Sequence, residues 1–171
     1  MQLKMEGVNL EKQANGLLIK SEKPLYIFAN RENYDFQFNT EFDNHYLNQK
    51  GIDTVILEED GITVISTVEI INNKFFTNLS LLFDIDLDNL TMINLFKIAV
   101  ESICSTSWDA NALNKNELDN YVGNYYNTIF VACRDKSKKS LPFDVSLYFQ
   151  VKDLIYRAIT KNLYQLGYQK V

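Results

Sequence analysis

Alternating apolar and polar positions mark a run of strands in the middle of the chain. The three runs are TVILE (54–58), ITVISTVEII (62–71) and FFTNLSLLFD (75–84). They are separated by the dipeptides Asp60-Gly61 and Asn72-Asn73. Two-residue turns of this composition join antiparallel strands. The pattern therefore predicts a three-stranded antiparallel meander.

Three shorter apolar runs flank the meander: LLIK (17–20), LYIFA (25–29) and TIFVAC (128–133). Their β-branched and aromatic residues favour strands. The tetrapeptide SEKP (21–24) is typical of a turn, so we expect the first two runs to form an opening hairpin. Residues 30–50 are rich in Asn, Asp, Phe and Tyr without a clear period. That composition suits an irregular surface excursion, where ligand contacts often lie.

Two longer segments repeat their apolar residues at three- and four-residue steps, which is the period of an amphipathic helix. The first covers about 90–113 and can be capped by Asp88 or Asn89. The second covers about 144–166, with Gly167 as its stop. Both segments are long enough to form a helix of several turns.

The predicted order is five strands, a helix, a strand and a helix. This order indicates an α+β fold, a mixed, largely antiparallel sheet with two long helices packed mainly on one face. With 171 residues, of which 46% are hydrophobic, the chain fits a single domain spanning 1–171.

Charge and composition narrow the range of partners. The net charge is −5 and the isoelectric point is near 4.9, with the basic residues scattered, which argues against a nucleic-acid partner. No stretch approaches the roughly eighteen apolar residues of a membrane span, and the first residues lack the apolar core of a secretion signal. We therefore expect a cytoplasmic protein without a membrane partner. The sequence leaves open whether it forms a homo-oligomer.

Thiol and metal chemistry find little support in the sequence. Cys104 and Cys133 lie far apart in apolar runs, which favours buried free thiols over a disulfide or a metal site. The only histidine, His45, is expected to be an exposed loop residue. The acidic run from Asp84 to Asp88 lacks the glycine and the closing glutamate of a calcium loop, so we interpret it as a helix entry. We predict no metal and no required cofactor.

Several spaced blocks carry a resemblance to a known family. VISTVEIIN (64–72) is similar to V-x-x-T-x-G-[IV]-S-N, and TNLSLLFD (77–84) is similar to T-I-N-I-I-V. CSTSWDANAL (104–113) is similar to T-A-T-E-A-K-T-A-A-L, VGNYYNTIFVA (122–132) to T-G-T-G-T-D-A-I-V-V-A, and VKDLIYRAI (151–159) to L-G-E-L-I-G-R-A-V. These are motifs of the adenosylcobinamide amidohydrolases, which the chain resembles over roughly residues 20–168.

The resemblance implies cleavage of the amide that joins aminopropanol to the corrin ring in corrinoid salvage, with a corrinoid as substrate or ligand. Hydrolysis of an amide needs a base, donors for the oxyanion and a proton for the leaving amine. If hydrolysis is retained, the candidate catalytic residues are Glu69 and Asp109 as general bases and Asn78 and Thr106 as hydrogen-bond donors, with Ser107 and Tyr148 as further donors. The implied ligand-binding residues are Gly123, Tyr125, Tyr126 and Tyr148, the last at a position where the family commonly has a histidine.

The motif positions also depart from the family pattern. Glu69 replaces a glycine, Ser107 and Asp109 replace a glutamate and a lysine, and Tyr125 and Tyr126 fill a loop of small residues. Two functions therefore stay open. One is an amidohydrolase with a rebuilt site. The other is a catalytically inactive relative that binds a corrinoid, another planar ligand or a protein partner.

Each candidate also has an ordinary structural explanation. Glu69 and Asp109 could face solvent, and Thr106 could bond to its own helix backbone. Gly123 could serve a turn. Asn78 lies in an apolar strand, where a buried amide needs hydrogen-bond partners, so a structural and a functional role are evenly balanced there.

Overall fold

The computed structural model describes residues 1–13, 16–31, 34–45, 53–71, 74–114, 128–137 and 144–167. The strands in this part of the chain are β1 (Val8–Gln13), β2 (Gly16–Ala29), β3 (Gln37–His45), β4 (Thr54–Glu59), β5 (Ile62–Ile71), β6 (Lys74–Phe83) and β7 (Thr128–Cys133). The helices are α1 (Asn89–Asn114) and α2 (Val145–Gln165). They pack against one mixed, mostly antiparallel sheet, which confirms the α+β prediction.

The sheet is ordered β1-β2-β7-β6-β5-β4, and β3 pairs with the remaining edge of β2. The pair β6–β7 is parallel, and the other pairs are antiparallel. The long strand β2 pairs with β1 through its first half and with β7 through its second half, while β3 runs along its other side. Because one strand serves three partners, the sheet curls at this end.

The predicted meander of β4, β5 and β6 is confirmed. Asp60 and Gly61 both have positive φ, 48° and 77°, as a type I′ hairpin turn requires. β5 and β6 pair without a register shift from Ile71↔Lys74 onward. The Asp60-Gly61 turn and the unbroken pairing of β5 with β6 therefore fix which side chains share a face across all three strands.

The predicted opening hairpin is wrong. Residues 21–24 lie inside the continuous strand β2, and Pro24 falls where the pairing with β3 shifts register, between Lys20 and Leu25. A bulge tolerates a proline because no ladder hydrogen bond from its nitrogen is needed there. The turn-like composition of this segment therefore marks an irregularity within a strand.

The sequence pattern did not predict two of the strands, β1 and β3. Residues 37–45 form β3 instead of an irregular excursion, so His45 ends a strand and does not lie in a loop. β1 was not predicted either, since VNLEKQ carries only two buried side chains. Both strands are ordered by pairing with β2, and such tertiary context overrides weak local preference.

The predicted start of α1 and both predicted ends of α2 are confirmed by their caps. Asp88 Oδ1 accepts a hydrogen bond of 2.7 Å from the backbone nitrogen of Thr91 at the start of α1. At α2, Asp144 Oδ1 accepts one of 2.8 Å from the backbone nitrogen of Ser146. Gly167 follows α2 with a φ of 87°, a conformation that stops a helix. Within the described residues, neither helix combines the length and apolarity that a membrane crossing demands.

Two hydrophobic cores lie on the two faces of the sheet. On the helix face, α1 and α2 pack on the apolar side chains that alternate along β5, β6 and β7, such as Val64, Leu81 and Val131. The opposite face, which we call the far face, carries Ile65, Leu82 and Phe130, covered by apolar residues of the N-terminal segment and of β1 to β3. Because successive side chains of a strand point to opposite faces, each residue of these strands can be assigned to the helix face or to the far face by counting from one of these residues.

Candidate functional site

A line of polar side chains crosses the far face. The register pairs Thr54 of β4 with Thr67 of β5, Thr67 with Asn78 of β6, and Asn78 with Thr128 of β7. Strands lie about 4.8 Å apart, so the four residues extend over about 14 Å. We call Thr54, Thr67, Asn78 and Thr128 the polar row.

The polar row is buried at its centre and partly open at its two ends. Thr67 is 1% exposed and Asn78 is 3% exposed, whereas Thr54 and Thr128 are half-buried. The Thr67 hydroxyl has no hydrogen-bond partner within the described part of the chain. A buried hydroxyl without a partner loses its hydrogen bonds to water and gains none in return. The Thr67 hydroxyl therefore keeps an unused capacity to donate and accept a hydrogen bond.

Glu69 lies beside the polar row. It follows Thr67 by two residues in β5, which places it on the same face, and Phe76 is its direct partner in β6. Asn78 is therefore its diagonal neighbour, at a typical separation of about 7 Å. Glu69 is only 3% exposed, so the explanation that it faces solvent is wrong. The structure thus brings two of the four predicted catalytic residues, Glu69 and Asn78, together on one buried face.

An aromatic group borders the polar row. Phe130 follows Thr128 by two residues on β7, and its ring centroid lies 5.0 Å from that of Phe42 and 5.1 Å from that of Tyr34. Burial, with the nearby Asp43 carboxylate, raises the pKa of the Tyr34 phenol, so Tyr34 stays protonated at neutral pH. The far face thus combines a carboxylate, amide and hydroxyl groups, and an apolar aromatic wall.

Thr106 and Ser107 lie in α1, on the helix face of the sheet. The Thr106 hydroxyl donates a 2.7 Å hydrogen bond to the Ser102 carbonyl, and the Ser107 hydroxyl donates a 3.0 Å bond to the Cys104 carbonyl. Hydroxyl side chains in a helix commonly satisfy themselves on the preceding turn in this way. The structural explanation for Thr106 is therefore confirmed, and Thr106 does not join Glu69 and Asn78.

Asp109 also belongs to the helix pair. Its carboxylate is hydrogen-bonded to the Tyr156 phenol of α2, and partial burial together with this carboxylate raises the pKa of Tyr156. The contact links α1 to α2, so Asp109 is not simply a solvent-facing acid. The sheet separates it from Glu69, and a catalytic role for it stays a prediction without geometric support.

Tyr148 lines a cleft of about 360 Å³ between the first halves of α1 and α2. Its hydroxyl donates a 3.2 Å hydrogen bond to Glu101 Oε2, and the Lys152 ammonium lies 5.6 Å from its ring centroid. The cleft is walled by Ile85, Leu95, Ile98 and Leu147. Tyr148 is therefore exposed to a ligand, but on the helix face and away from the polar row.

The other three predicted ligand-binding residues, Gly123, Tyr125 and Tyr126, lie outside the described residues. Sequence reasoning missed two members of the polar row, Thr54 and Thr128. Thr54 had a usable signal, because a two-residue turn at Asp60-Gly61 places it opposite Thr67. Thr128 had none, because its alignment depends on the parallel pairing of β6 with β7.

Both cysteines are free thiols, as expected from the sequence. Cys133 is fully buried, and burial raises its pKa to about 12. Burial also raises the pKa of the half-buried Cys104. Only a thiolate is an effective nucleophile or metal ligand, so neither cysteine is prepared for catalysis.

This burial predicts how the thiols react. At neutral pH, iodoacetamide should leave Cys133 unmodified in the folded protein and alkylate it rapidly after unfolding in urea. A pKa of about 12 corresponds to roughly one thiolate in 10⁵ at pH 7. Peptide mass spectrometry measures each site, and Cys104 provides the internal comparison because it is less buried. Alkylation of native Cys133 at the rate of the unfolded chain would contradict its burial.

Comparisons with protein-family models, with curated proteins and with solved structures found no match to this chain. Within the described residues, no group of three or more His, Cys, Asp and Glu side chains is arranged to hold a metal ion. The chemistry of the far face is therefore the basis for a function.

Proposed function

We propose that the protein binds an amide-bearing corrinoid on the far face and hydrolyses an amide bond of that ligand, with Glu69 as the general base. The observation that carries the proposal is the burial of Glu69 and Asn78 as diagonal neighbours, at 3% exposure each. The resemblance to the adenosylcobinamide amidohydrolases supplies the substrate class, and both residues lie in blocks that carry this resemblance.

The chemistry of the two side chains suits the reaction. Glu69 would take a proton from water as the water oxygen adds to the amide carbon, and it would then return that proton to the leaving nitrogen. The Asn78 amide would donate a hydrogen bond to the oxyanion. The products are a carboxylic acid on the corrin and free aminopropanol, so the step consumes one water and needs no other reactant.

The surroundings support a broad, flat ligand. Beside the hydrogen-bonding groups lie the rings of Phe130 and Phe42, which are buried in the core, and of Tyr34, which is partly open to solvent. Aromatic and polar groups side by side are the combination that ligand sites generally use. A corrin is largely apolar and is edged with amides. The wall and the polar row therefore complement its two kinds of surface.

A second candidate function is binding without hydrolysis. It is favoured by a specific observation: Thr106 and Asp109, two of the four predicted catalytic residues, make structural contacts on the other side of the sheet. In this case the far face would hold a corrinoid or another planar ligand without cleaving it.

One experiment tests both functions. The purified protein is incubated with adenosylcobinamide, released aminopropanol is measured by mass spectrometry, and binding is followed through the corrinoid absorption spectrum and the thermal unfolding temperature. Release of aminopropanol is the expected result. Binding without release would replace the proposed function with the second candidate, and neither binding nor release would refute both.

A further inference from the structure

The cleft between the first halves of α1 and α2 has the size and the walls of a small-molecule site. Its volume of about 360 Å³ falls within the range that such sites occupy. Four aliphatic side chains line it, Ile85, Leu95, Ile98 and Leu147. Leu95 and Ile98 are buried, whereas Ile85 is 46% exposed. The cleft therefore has an apolar floor and an open mouth, so an apolar group can enter it and leave water.

One carboxylate stands among the polar residues of the cleft. Thr91, Asn94, Ser146 and Gln150 are neutral, and Asp144 is the charged residue of the described lining. Asp144 Oδ1 accepts the 2.8 Å hydrogen bond from the backbone nitrogen of Ser146 that caps α2. Its other oxygen, Oδ2, has no hydrogen-bond or ion-pair partner within the described residues. The cleft thus offers one carboxylate oxygen to a hydrogen-bond donor of a ligand.

The position of Asp144 also determines which charge a ligand can carry. The first turn of a helix attracts anions, but at α2 the Asp144 carboxylate already occupies that place, so an anionic ligand would meet a like charge. The nearby Lys152 ammonium lies 3.5 Å from the Tyr148 hydroxyl oxygen, and the same hydroxyl donates to Glu101, so a cation and an anion offset each other there. The net charge of −5 adds a long-range attraction for cations.

We propose that this cleft binds a small hydrophobic cation, an ammonium group carried by one aromatic ring or a short alkyl chain. The apolar part packs against Ile85, Leu95, Ile98 and Leu147, and the ammonium donates a hydrogen bond to Asp144 Oδ2. Burial of the apolar part supplies most of the affinity. The exposed carboxylate contributes less and sets the preference for a positive charge. The cleft and the far face lie on opposite sides of the sheet, so this site is independent of the proposed function.

The test compares three probes that share a phenylethyl group: phenethylammonium, neutral 2-phenylethanol and anionic 3-phenylpropionate. The full-length protein carries ¹³C-labelled isoleucine and leucine methyl groups. Phenethylammonium should shift the methyl signals of Ile85, Leu95, Ile98 and Leu147 in a saturable manner and leave those of Ile65 on the far face unchanged. 2-Phenylethanol should bind the same site about 2- to 5-fold more weakly, and 3-phenylpropionate more weakly still.

Asp144→Asn removes the charge and keeps a good N-cap for α2, so it should weaken phenethylammonium binding about 2- to 5-fold and leave 2-phenylethanol binding nearly unchanged. Asp153→Asn is the matched control. It removes the same charge from a residue of α2 that pairs with Arg157 outside the cleft, and it should change neither affinity. The absence of a saturable phenethylammonium shift at the lining methyl groups, equal or tighter binding of 3-phenylpropionate, or equal losses in the two variants would overturn the proposal.

Discussion

Glu69→Gln is expected to lower the rate of adenosylcobinamide cleavage by about 100-fold or more while leaving corrinoid binding nearly unchanged. Glutamine has almost the same shape and can keep hydrogen bonds at the site, but it cannot take a proton from water. The loss should therefore appear in kcat and not in KM. Steady-state kinetics from aminopropanol release, together with a spectral titration of the corrinoid, measure the two quantities separately.

Asp109, a carboxylate on the other face of the sheet, provides the control for the Glu69→Gln exchange. Asp109→Asn removes the acid that contacts Tyr156 between the two helices, so cleavage should stay within about twofold of the unaltered rate. The same exchange should lower the pKa of Tyr156 toward its ordinary value, since a neutral amide no longer opposes phenolate formation. Full activity in Glu69→Gln would refute Glu69 as the general base, and a large kinetic loss in Asp109→Asn would point to chemistry on the helix side of the sheet.

Much of the fold was predictable because its strongest signals are local. The turn at Asp60-Gly61 and the continuous pairing of β5 with β6 fix the register of three strands, and from that register Thr54, Thr67 and Asn78 must align. The caps Asp88 and Asp144 likewise mark the helix starts by short-range hydrogen bonds. Local chemistry therefore contained most of the polar row.

The rest of the fold depends on contacts between distant parts of the chain. β1 and β3 have polar sequences that become strands only when β2 offers an edge, and β2 runs through Pro24 because a register shift accommodates it. The separation of Thr106 from Asn78 has the same origin. Two motif blocks can follow one another in a family pattern and still lie on opposite faces of a sheet. The spacing of the blocks does not specify which face of the sheet each side chain occupies.

The burial of Glu69 illustrates the same limit. In sequence it alternates with Val68 and Ile70, a pattern that fits a half-exposed strand with the acid in water. The far face instead carries a second core, to which Ile65 of the same strand belongs, and Glu69 is 3% exposed on that face. The carboxylate of Glu69 is therefore removed from water, unlike that of an ordinary strand acid. A buried carboxylate beside an amide is a better candidate for a general base than a carboxylate that faces solvent.

Phe130→Ala is expected to destabilise the protein by about 3–5 kcal/mol, because it removes a fully buried ring from the far-face core. Phe130 joins β7 to β3 and to the segment before it through the rings of Phe42 and Tyr34. The small alanine leaves a cavity that these rings cannot close without moving the strand. Equilibrium unfolding in urea, followed by circular dichroism, gives the change in the free energy of unfolding.

Phe149→Ala provides the matched control, because the same atoms are removed from a ring on α2 that is 63% exposed. Its effect should stay within about 0.5 kcal/mol. Phe130→Leu, which keeps most of the buried volume, should cost less than Phe130→Ala. Similar losses for Phe130→Ala and Phe149→Ala would show that the far face lacks a packed core.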